Sequence, residues 1–412
     1  MIQFPQLILN YVQLLPYALL AFLVTVILVP LVGKLAYRIG AVDMPKQLSG
    51  RIDRNSEKKI STKVTARLGG LAMVIAILFV MGISPAANFS SWGIIAGIIV
   101  LTVVGILDDV YDLPPKYQFI AQFIAASLIV VAGTTILSVS FLGDISAFLK
   151  IFSIPIQLGD FFVYTFIFPA DLITIFWIVA MINFVNWVGG VDGLNGSVSA
   201  IGALAFLLIA MQTGQLGLAI LIATHLGAVL GVLPFNYFPS KIFYGFGDSI
   251  NGFLLAVYAI SGDIKFAGSI IILGLPLVDA VWVAMSRIRR QWKVDRSLKL
   301  LLAAPLKSDR SHLHHRLLDI GYTWKSVLLI EVIIMSGFAT LAFYLSGFSI
   351  NALQVMIAII GMLIILTIIT LARNRAKKIK EAQIEYLANQ PKVEVKIMNG
   401  EEDKGDEEKF VY

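Results

Sequence analysis

The chain has 412 residues, 58% hydrophobic and 14% charged, with a formal net charge of +6. That composition is too apolar for an ordinary soluble domain, and the lack of cysteine excludes disulfides and thiolate metal sites. The apolar residues fall in blocks of about twenty, the length that carries an α-helix across roughly 30 Å of hydrocarbon.

In chain order the blocks cover about 16–34, 69–86, 92–107, 118–137, 171–188, 198–213, 216–234, 249–262, 267–286, 325–346 and 351–372. Each is predicted to be a helix, because an isolated strand cannot satisfy its backbone in lipid. The expected fold is therefore all-α: a polytopic integral membrane bundle of about eleven transmembrane helices. One domain spans 1–372. The tail 373–412 starts as a basic helix and ends "NGEEDKGDEEKFVY", a composition that predicts a partly disordered end. The first basic residue, Lys34, follows the first block, which predicts no cleaved secretory signal.

The charge divides by loop parity. Nine Lys and Arg lie in 34–67, ten in 287–325 and nine after residue 372, following blocks 1, 9 and 11; Lys116 and Lys241 follow blocks 3 and 7. Only Lys150 and Lys265 fall on the other side. The excess of basic residues marks the cytoplasm, so the N-terminus is predicted outside, the C-terminus inside and the protein in the cytoplasmic membrane. The positive charge then reflects topology and anionic lipid rather than nucleic acid.

Four polar clusters follow blocks 3, 5, 7 and 9. "GILDDVYDLPPKYQFIAQ" puts Asp108 and Asp109 at a helix mouth, with Asp112 beyond. These acids suit a hard divalent cation or a proton acceptor, or else a solvated helix end; Lys116 can pair with them or with a lipid phosphate. "NFVNWVGGVDGLNG" combines Asn183, Asn186 and Asp192 with four glycines, more than a helix turn requires, and its backbone N–H groups can cradle phosphate. In "FNYFPSKIFYGFGDSINGF", Asp248 is a helix cap or a metal ligand, and Phe243, Tyr244 and Phe246 are base-stacking groups or interfacial anchors.

"SDRSHLHHRLLDIG" reads as a short amphipathic helix. Ser308 or Asp309 would cap it, Leu313, Leu317 and Leu318 form its stripe and Gly321 stops it. His312, His314 and His315 fall in its first turns, where the helix dipole favours an anion and disfavours imidazolium. They are expected to be neutral donors to phosphate, with Arg310 and Arg316 supplying charge. The alternatives are a zinc site using His312 and His315 and a decorated surface helix. Since parity places all four clusters on one face, the set predicts phosphoryl transfer between a soluble nucleotide and a lipid.

The motifs "LDDVYDL", "NFVNWVGGVDGLNG", "FPSKIFYGFGD" and "DRSHLHHRLLDIGY" resemble, in order and spacing, the polyprenyl-phosphate N-acetylhexosamine-1-phosphate transferases (glycosyltransferase family 4) from about Asp43 to Gly347. "HLHHRL" is similar to the bacterial branch using UDP-N-acetylglucosamine-type donors. The resemblance implies that a polyprenyl phosphate attacks a UDP-HexNAc, with Mg²⁺ or alternatively Mn²⁺, giving polyprenyl-diphosphate-HexNAc and UMP at the first membrane step of a cell-envelope glycan. By position, Asp108 and Asp109 would serve the lipid phosphate, Asp248 and Asn186 the metal, and Lys116 the lipid phosphate. Asp192, Asn183 and Phe246 would bind substrate, and Arg310, His312, His314, His315 and Arg316 would form the diphosphate and sugar pocket. Gly189 stands where bacterial relatives usually carry Asp, Ile250 and Asn251 replace a small Gly-Ser pair, and the long first loop lacks an expected His; these departures bear on the donor. Monomer and homodimer both stay open, and a phospho-MurNAc-pentapeptide donor is the alternative within the family. A transporter or flippase would need a midplane relay, but His225, Asp279 and Glu331 make no evident chain. "VDGLNG" lacks the later acids of a CDP-alcohol phosphotransferase.

Overall fold

The structure, a computed structural model, describes residues 4–44, 63–84, 89–139, 146–158, 162–261, 266–297, 299–300, 304, 309–346 and 352–388. The chain begins with α1 (Phe4–Ile39), β1 (Val42–Asp43) and β2 (Thr65–Ala66), then α2 (Gly69–Ile83), α3 (Phe89–Tyr111) and α4 (Pro115–Val131). A short helix α5 (Ser146–Leu149) leads into β3 (Lys150–Leu158) and β4 (Phe162–Pro169). Next come α6 (Ala170–Val188), α7 (Leu194–Gln212), α8 (Leu216–Asn236), α9 (Gly247–Tyr258), α10 (Phe266–Ile272) and α11 (Gly274–Val294). The chain closes with α12 (Leu313–Ile320), α13 (Trp324–Ser346) and α14 (Ala352–Ala388).

A helix stands in each of the eleven apolar blocks. By length and composition seven qualify as spans, or eight if α10 and α11, bent by 73°, are one. Helices α2 and α4 are shorter apolar helices, and α9 has only 12 residues. The molecule is a polytopic membrane helix bundle. Helix α14 runs unbroken through residue 372 to Ala388, and the acidic end of the tail lies outside the described residues.

One expectation is corrected: the fold is not purely helical. Strands β3 and β4 pair antiparallel from Lys150↔Pro169 to Leu158↔Phe162. This segment has no twenty-residue apolar block, but it is rich in β-branched and aromatic residues on either side of Gly159 and Asp160, the pattern of a hairpin. The smaller pair β1–β2 closes the first loop, with Val42 opposite Ala66.

Helices α7 and α8 are enclosed by the others and apolar on nearly all sides, as central helices must be. Helix α1 packs along α8 through Gly227 and Gly231, a small-xxx-small pair that lets two backbones meet. A Cβ at 231 would lie 2.7 Å from Thr25 Cβ and 2.9 Å from the Phe22 carbonyl oxygen, and one at 227 would collide with the Ala18 carbonyl. Gly337, by contrast, faces open space. Gly227→Val is predicted to destabilise the detergent-solubilised protein by at least about 1–3 kcal/mol, because rigid backbone is overpacked. Gly337→Val should stay within about 0.5 kcal/mol. Thermal unfolding of the two variants checks this.

Candidate active site

Every loop that follows an odd-numbered block, through the ninth, contributes to one cavity of about 1990 Å³. Asp43, Lys63 and Arg67 come from the first loop, and Asp108, Asp109 and Asp112 from the end of α3. Asn186, Gly189, Gly190 and Asp192 come from the α6–α7 turn. Ser240, Phe246 and Asp248 come from the approach to α9, and His312, His314 and His315 from α12. Residues scattered over some 270 positions thus share one wall.

The acidic side is tied together by Asp109. Its buried carboxylate pairs with Arg67 at 3.2 Å and accepts the backbone N–H of Phe246 at 3.2 Å. Gly245, at φ +60°, leaves no room for a side chain, because a Cβ would strike the Arg67 carbonyl and Asp109 Oδ2. Burial works against the charge of Arg67, yet the fields of Asp109, Asp43, Asp108 and Asp112 outweigh it and hold the guanidinium above its ordinary value. Neighbouring backbone completes the knot. Gly69 and Gly70 donate to the carbonyls of Phe243 (2.9 Å) and Tyr244 (2.8 Å), and Phe243 donates to Ala66 (2.8 Å).

Asp108 Oδ1 and Asp248 Oδ1 are enclosed and have no hydrogen-bond partner among the described residues. Buried carboxylate oxygens are costly unless something pairs with them. Asp248 lies in the first turn of α9 but does not cap it; Phe246 occupies the cap position. A Cβ at position 189 would come within 2.8 Å of Asp248 Oδ2, so Gly189 is what lets the α6–α7 turn approach this acid. Among the described residues no group of three or more His, Asp or Glu side chains forms a closed metal cage. A magnesium ion does not need one: it is commonly held by one or two carboxylates, with waters and substrate phosphates filling the octahedron. Asp248, which meets the turn that carries Asn186 at Gly189, and Asp108, in the same cavity wall, fit that donor set.

The imidazole side is built on α12. His312, not Asp309, is its N-cap residue, Ser308 lies outside the described residues, and Gly321 at φ +108° ends the helix. The capping carboxylate comes from another helix: Asp279 of α11 meets His312 Nδ1 at 2.8 Å and accepts the Leu313 N–H at 2.9 Å. Asp309 is used elsewhere, in ion pairs with Arg287 at 2.8 Å and with Arg290. Burial opposes its charge, but hydrogen bonds from Ser311, Arg287 and Arg290 pull it down to about 2. Arg287 also reaches His312 Nε2 at 3.5 Å. The rings of His312 and His314 are parallel, 5.8 Å apart, and His315 follows at 4.3 Å. His314 is buried against Gly190, where a Cβ would overlap its Nε2. Burial, then the neighbouring His315, His312 and Arg310, push it well below the ordinary imidazole value. It is therefore neutral, as the dipole argument expected. The zinc alternative finds no ligand set among the described residues.

Asp192 lines the cavity and accepts the Ser240 N–H at 2.9 Å; burial raises it above the usual carboxylate range despite that bond. Phe246 is also in the wall, but it is buried against Gly105. Tyr244 is structural, donating to the Val229 carbonyl at 2.9 Å.

Four expected substrate-binding residues lie outside the cavity wall. Lys116 is exposed, its ammonium 5.0 Å from the Tyr117 ring. Asn183 donates to Gln122 Oε1 and to the Val179 carbonyl, both at 2.7 Å. Arg310 is exposed and pairs with Asp319 at 3.4 Å. Arg316 is engaged elsewhere, 5.4 Å over Trp282 and 3.1 Å from Thr370. Sequence reasoning in turn missed Arg67, Arg287 and Asp279. It also read Asn251 only as a departure, whereas this amide faces His225 Nε2 at 3.0 Å and donates to Asn195 Oδ1 at 2.9 Å, at the cavity wall.

The molecule is thus a membrane-embedded helix bundle with an acid- and imidazole-lined cavity at the ends of its helices. Residues 91–263 match the model of "Glycosyl transferase family 4". The chain is 29% identical over 371 residues to the "Probable undecaprenyl-phosphate N-acetylglucosaminyl 1-phosphate transferase" of Bacillus subtilis, covering 87% of this chain and 93% of that protein. It is 26% identical over 342 residues to the undecaprenyl-phosphate alpha-N-acetylglucosaminyl 1-phosphate transferase of Salmonella typhi, covering 78% and 82%. A phospho-N-acetylmuramoyl-pentapeptide-transferase of Streptococcus thermophilus is 29% identical over 227 residues, covering 52% and 64%. Through residues 91–263 the chain is thus similar to glycosyl transferase family 4.

The neutral His314 sets a pH dependence of stability. Below about pH 6.5 the unfolded chain protonates this imidazole while the native one does not, so native stability falls as pH falls. The loss attributable to this group is up to about 1.4 kcal/mol per pH unit below 6.5. His314→Asn is predicted to flatten the melting-temperature profile between pH 7 and 5. An unchanged profile would show that the imidazole protonates freely in the native state.

Proposed function

We propose that this protein transfers HexNAc-1-phosphate, with GlcNAc as the sugar, from a UDP-sugar to a polyprenyl phosphate. One observation carries the reading: two unpartnered carboxylates and three adjacent imidazoles, from distant parts of the chain, line a single cavity. The names of the two relatives that cover most of the chain support the acceptor and the sugar. In the reaction an oxygen of the lipid phosphate attacks the β-phosphorus of the UDP-sugar. The P–O–P bond breaks, UMP leaves with that electron pair, and polyprenyl-diphosphate-HexNAc is formed.

Asp108 orients the lipid phosphate and takes its proton if it carries one. Asp109, neutralised by Arg67, holds the loops rather than touching substrate. Asp248 and Asn186 are the residues that would hold Mg²⁺, which, when bound, supplies positive charge to the diphosphate. The neutral imidazole of His314 and the ring of His315 donate hydrogen bonds to the diphosphate, and His312, fixed by Asp279, backs them. Asp192 lies towards the nucleotide. Charge neutralisation and positioning of this kind dominate phosphoryl transfer. The same reading takes all eleven helical blocks as crossings, with the N-terminus outside, the cavity on the cytoplasmic face of the plasma membrane, and 373–412 as a cytoplasmic tail.

A phospho-MurNAc-pentapeptide donor is the second reading, motivated by the Streptococcus thermophilus relative. Membranes carrying the protein, supplied with labelled UDP-GlcNAc, Mg²⁺ and undecaprenyl phosphate, should yield labelled lipid and UMP. Product only from the muramoyl donor would select the second reading. Movement of label without chemistry would indicate a transporter. Asp108→Ala and Asp248→Ala should each lower turnover by about 100-fold or more, and near-normal rates in both would sink the site assignment. His315→Ala should raise KM for the nucleotide sugar more than for the lipid; equal effects on the two would remove this residue from the diphosphate pocket.

A further inference from the structure

The β3–β4 hairpin stands at the N-terminal end of α6, whereas the cavity lies at its C-terminal end. Paired residues of an antiparallel ladder share a face. Phe152↔Phe168, Ile154↔Phe166 and Ile156↔Tyr164 therefore form an aliphatic and aromatic ladder on one face. Phe152 stacks on Phe168 at 4.9 Å. The opposite face is mixed: it carries Ser153, Pro155, Gln157 and Thr165, the exposed Val163, and Ile167, which packs on the small core of Ile136, Val139, Leu149 and Ala170. The β3 half of the ladder is not covered: Phe152 is 45% exposed, Ile154 50% and Ile156 40%, while Tyr164, Phe166 and Phe168 are half-buried.

The hairpin is nevertheless rigidly held. Buried Asp171, in the first turn of α6, accepts the Ile167 N–H at 2.8 Å and the Thr135 hydroxyl at 3.0 Å, and it also takes the Tyr164 hydroxyl. The same carboxylate lies at the helix N-terminus, where negative charge is favoured. No polar linker separates the hairpin from the membrane, because α6 begins at Ala170. Its outward side chains Leu172, Ile173 and Phe176 carry the exposed apolar surface of the hairpin onto the lipid-facing side of the bundle. Lys150, exposed at the base of β3, supplies a cation where headgroup phosphates would lie.

We propose that the Phe152–Ile154–Ile156 face is an interfacial phospholipid anchor, immersed at the headgroup–acyl boundary of the leaflet opposite the cavity. Continuity with the lipid-facing helix surface and the basic residue at the base favour a bilayer over a protein partner. A ladder left in water would be a contiguous apolar patch without a purpose.

The chain has no cysteine, so single-site labels are unambiguous. Ile154→Cys, Ile156→Cys and, on the opposite face, Gln157→Cys would be labelled with a bimane fluorophore on the full-length protein in phospholipid nanodiscs. Fluorescence at 154 should be roughly halved by brominated acyl chains, as for a side chain about 5–10 Å into the boundary region. The label at 157 should respond instead to aqueous iodide. Position 156 repeats the measurement if the variant at 154 fails to fold. Iodide quenching at 154 and 156 equal to that at 157 would place the ladder in water and overturn the proposal. Shielding from both quenchers, with intermolecular disulfide formation when the unlabelled cysteine variant is oxidised, would overturn it in favour of a second copy of the chain.

Discussion

The knot formed by Arg67, Asp109 and the Phe246 N–H holds three chain segments together. It joins the end of the first loop, the end of α3 and the turn before α9 within a few ångströms. A buried carboxylate here must be compensated, and the compensation comes from residues 42 and 137 positions away in sequence. The close approaches at Gly70, Gly189 and Gly245 follow, because each backbone must come near enough to reach the knot or Asp248. Asp108 and Asp248 are left in the cavity wall, each with an enclosed, unpartnered oxygen.

A second polar clamp fixes the other wall. Asp279 caps α12 from α11 and orients His312, while Arg287 and Arg290 hold Asp309. Rows of apolar side chains supply the bundle but cannot specify which loop ends meet. Two ionic clamps, one per wall of the cavity, do so.

Much of this was legible before any coordinates. Helix positions followed from block length, and the convergence of the odd-numbered loops followed from parity, because a chain crossing lipid as helices must bring alternate turns to the same side. Asn186 was visible in a turn richer in amides and glycines than a turn needs, whereas Asp108 and Asp248 alone read equally as a solvated helix end and a cap, and only the grouping of the clusters with the three imidazoles on one side singled them out. What escaped required three-dimensional pairing. Nothing in the spacing of Arg316 reveals that it turns towards Trp282 and Thr370, or that Asn183 turns towards Gln122. Asp279 read as an isolated intramembrane acid, because its partners lie 33 and 34 positions on. The β3–β4 hairpin was missed because a search for blocks of helical length passes over a nine-residue strand.

The central claim is that a divalent ion held at Asp248 and a donor diphosphate occupy the same cavity. Electron–nuclear double resonance on the protein loaded with Mn²⁺ in place of Mg²⁺, with UDP-GlcNAc present, tests this directly. The account predicts ³¹P couplings from a diphosphate bound to the metal, lost together with tight Mn²⁺ binding in Asp248→Asn. Mn²⁺ bound without phosphorus coupling, or bound equally well by the variant, would contradict it.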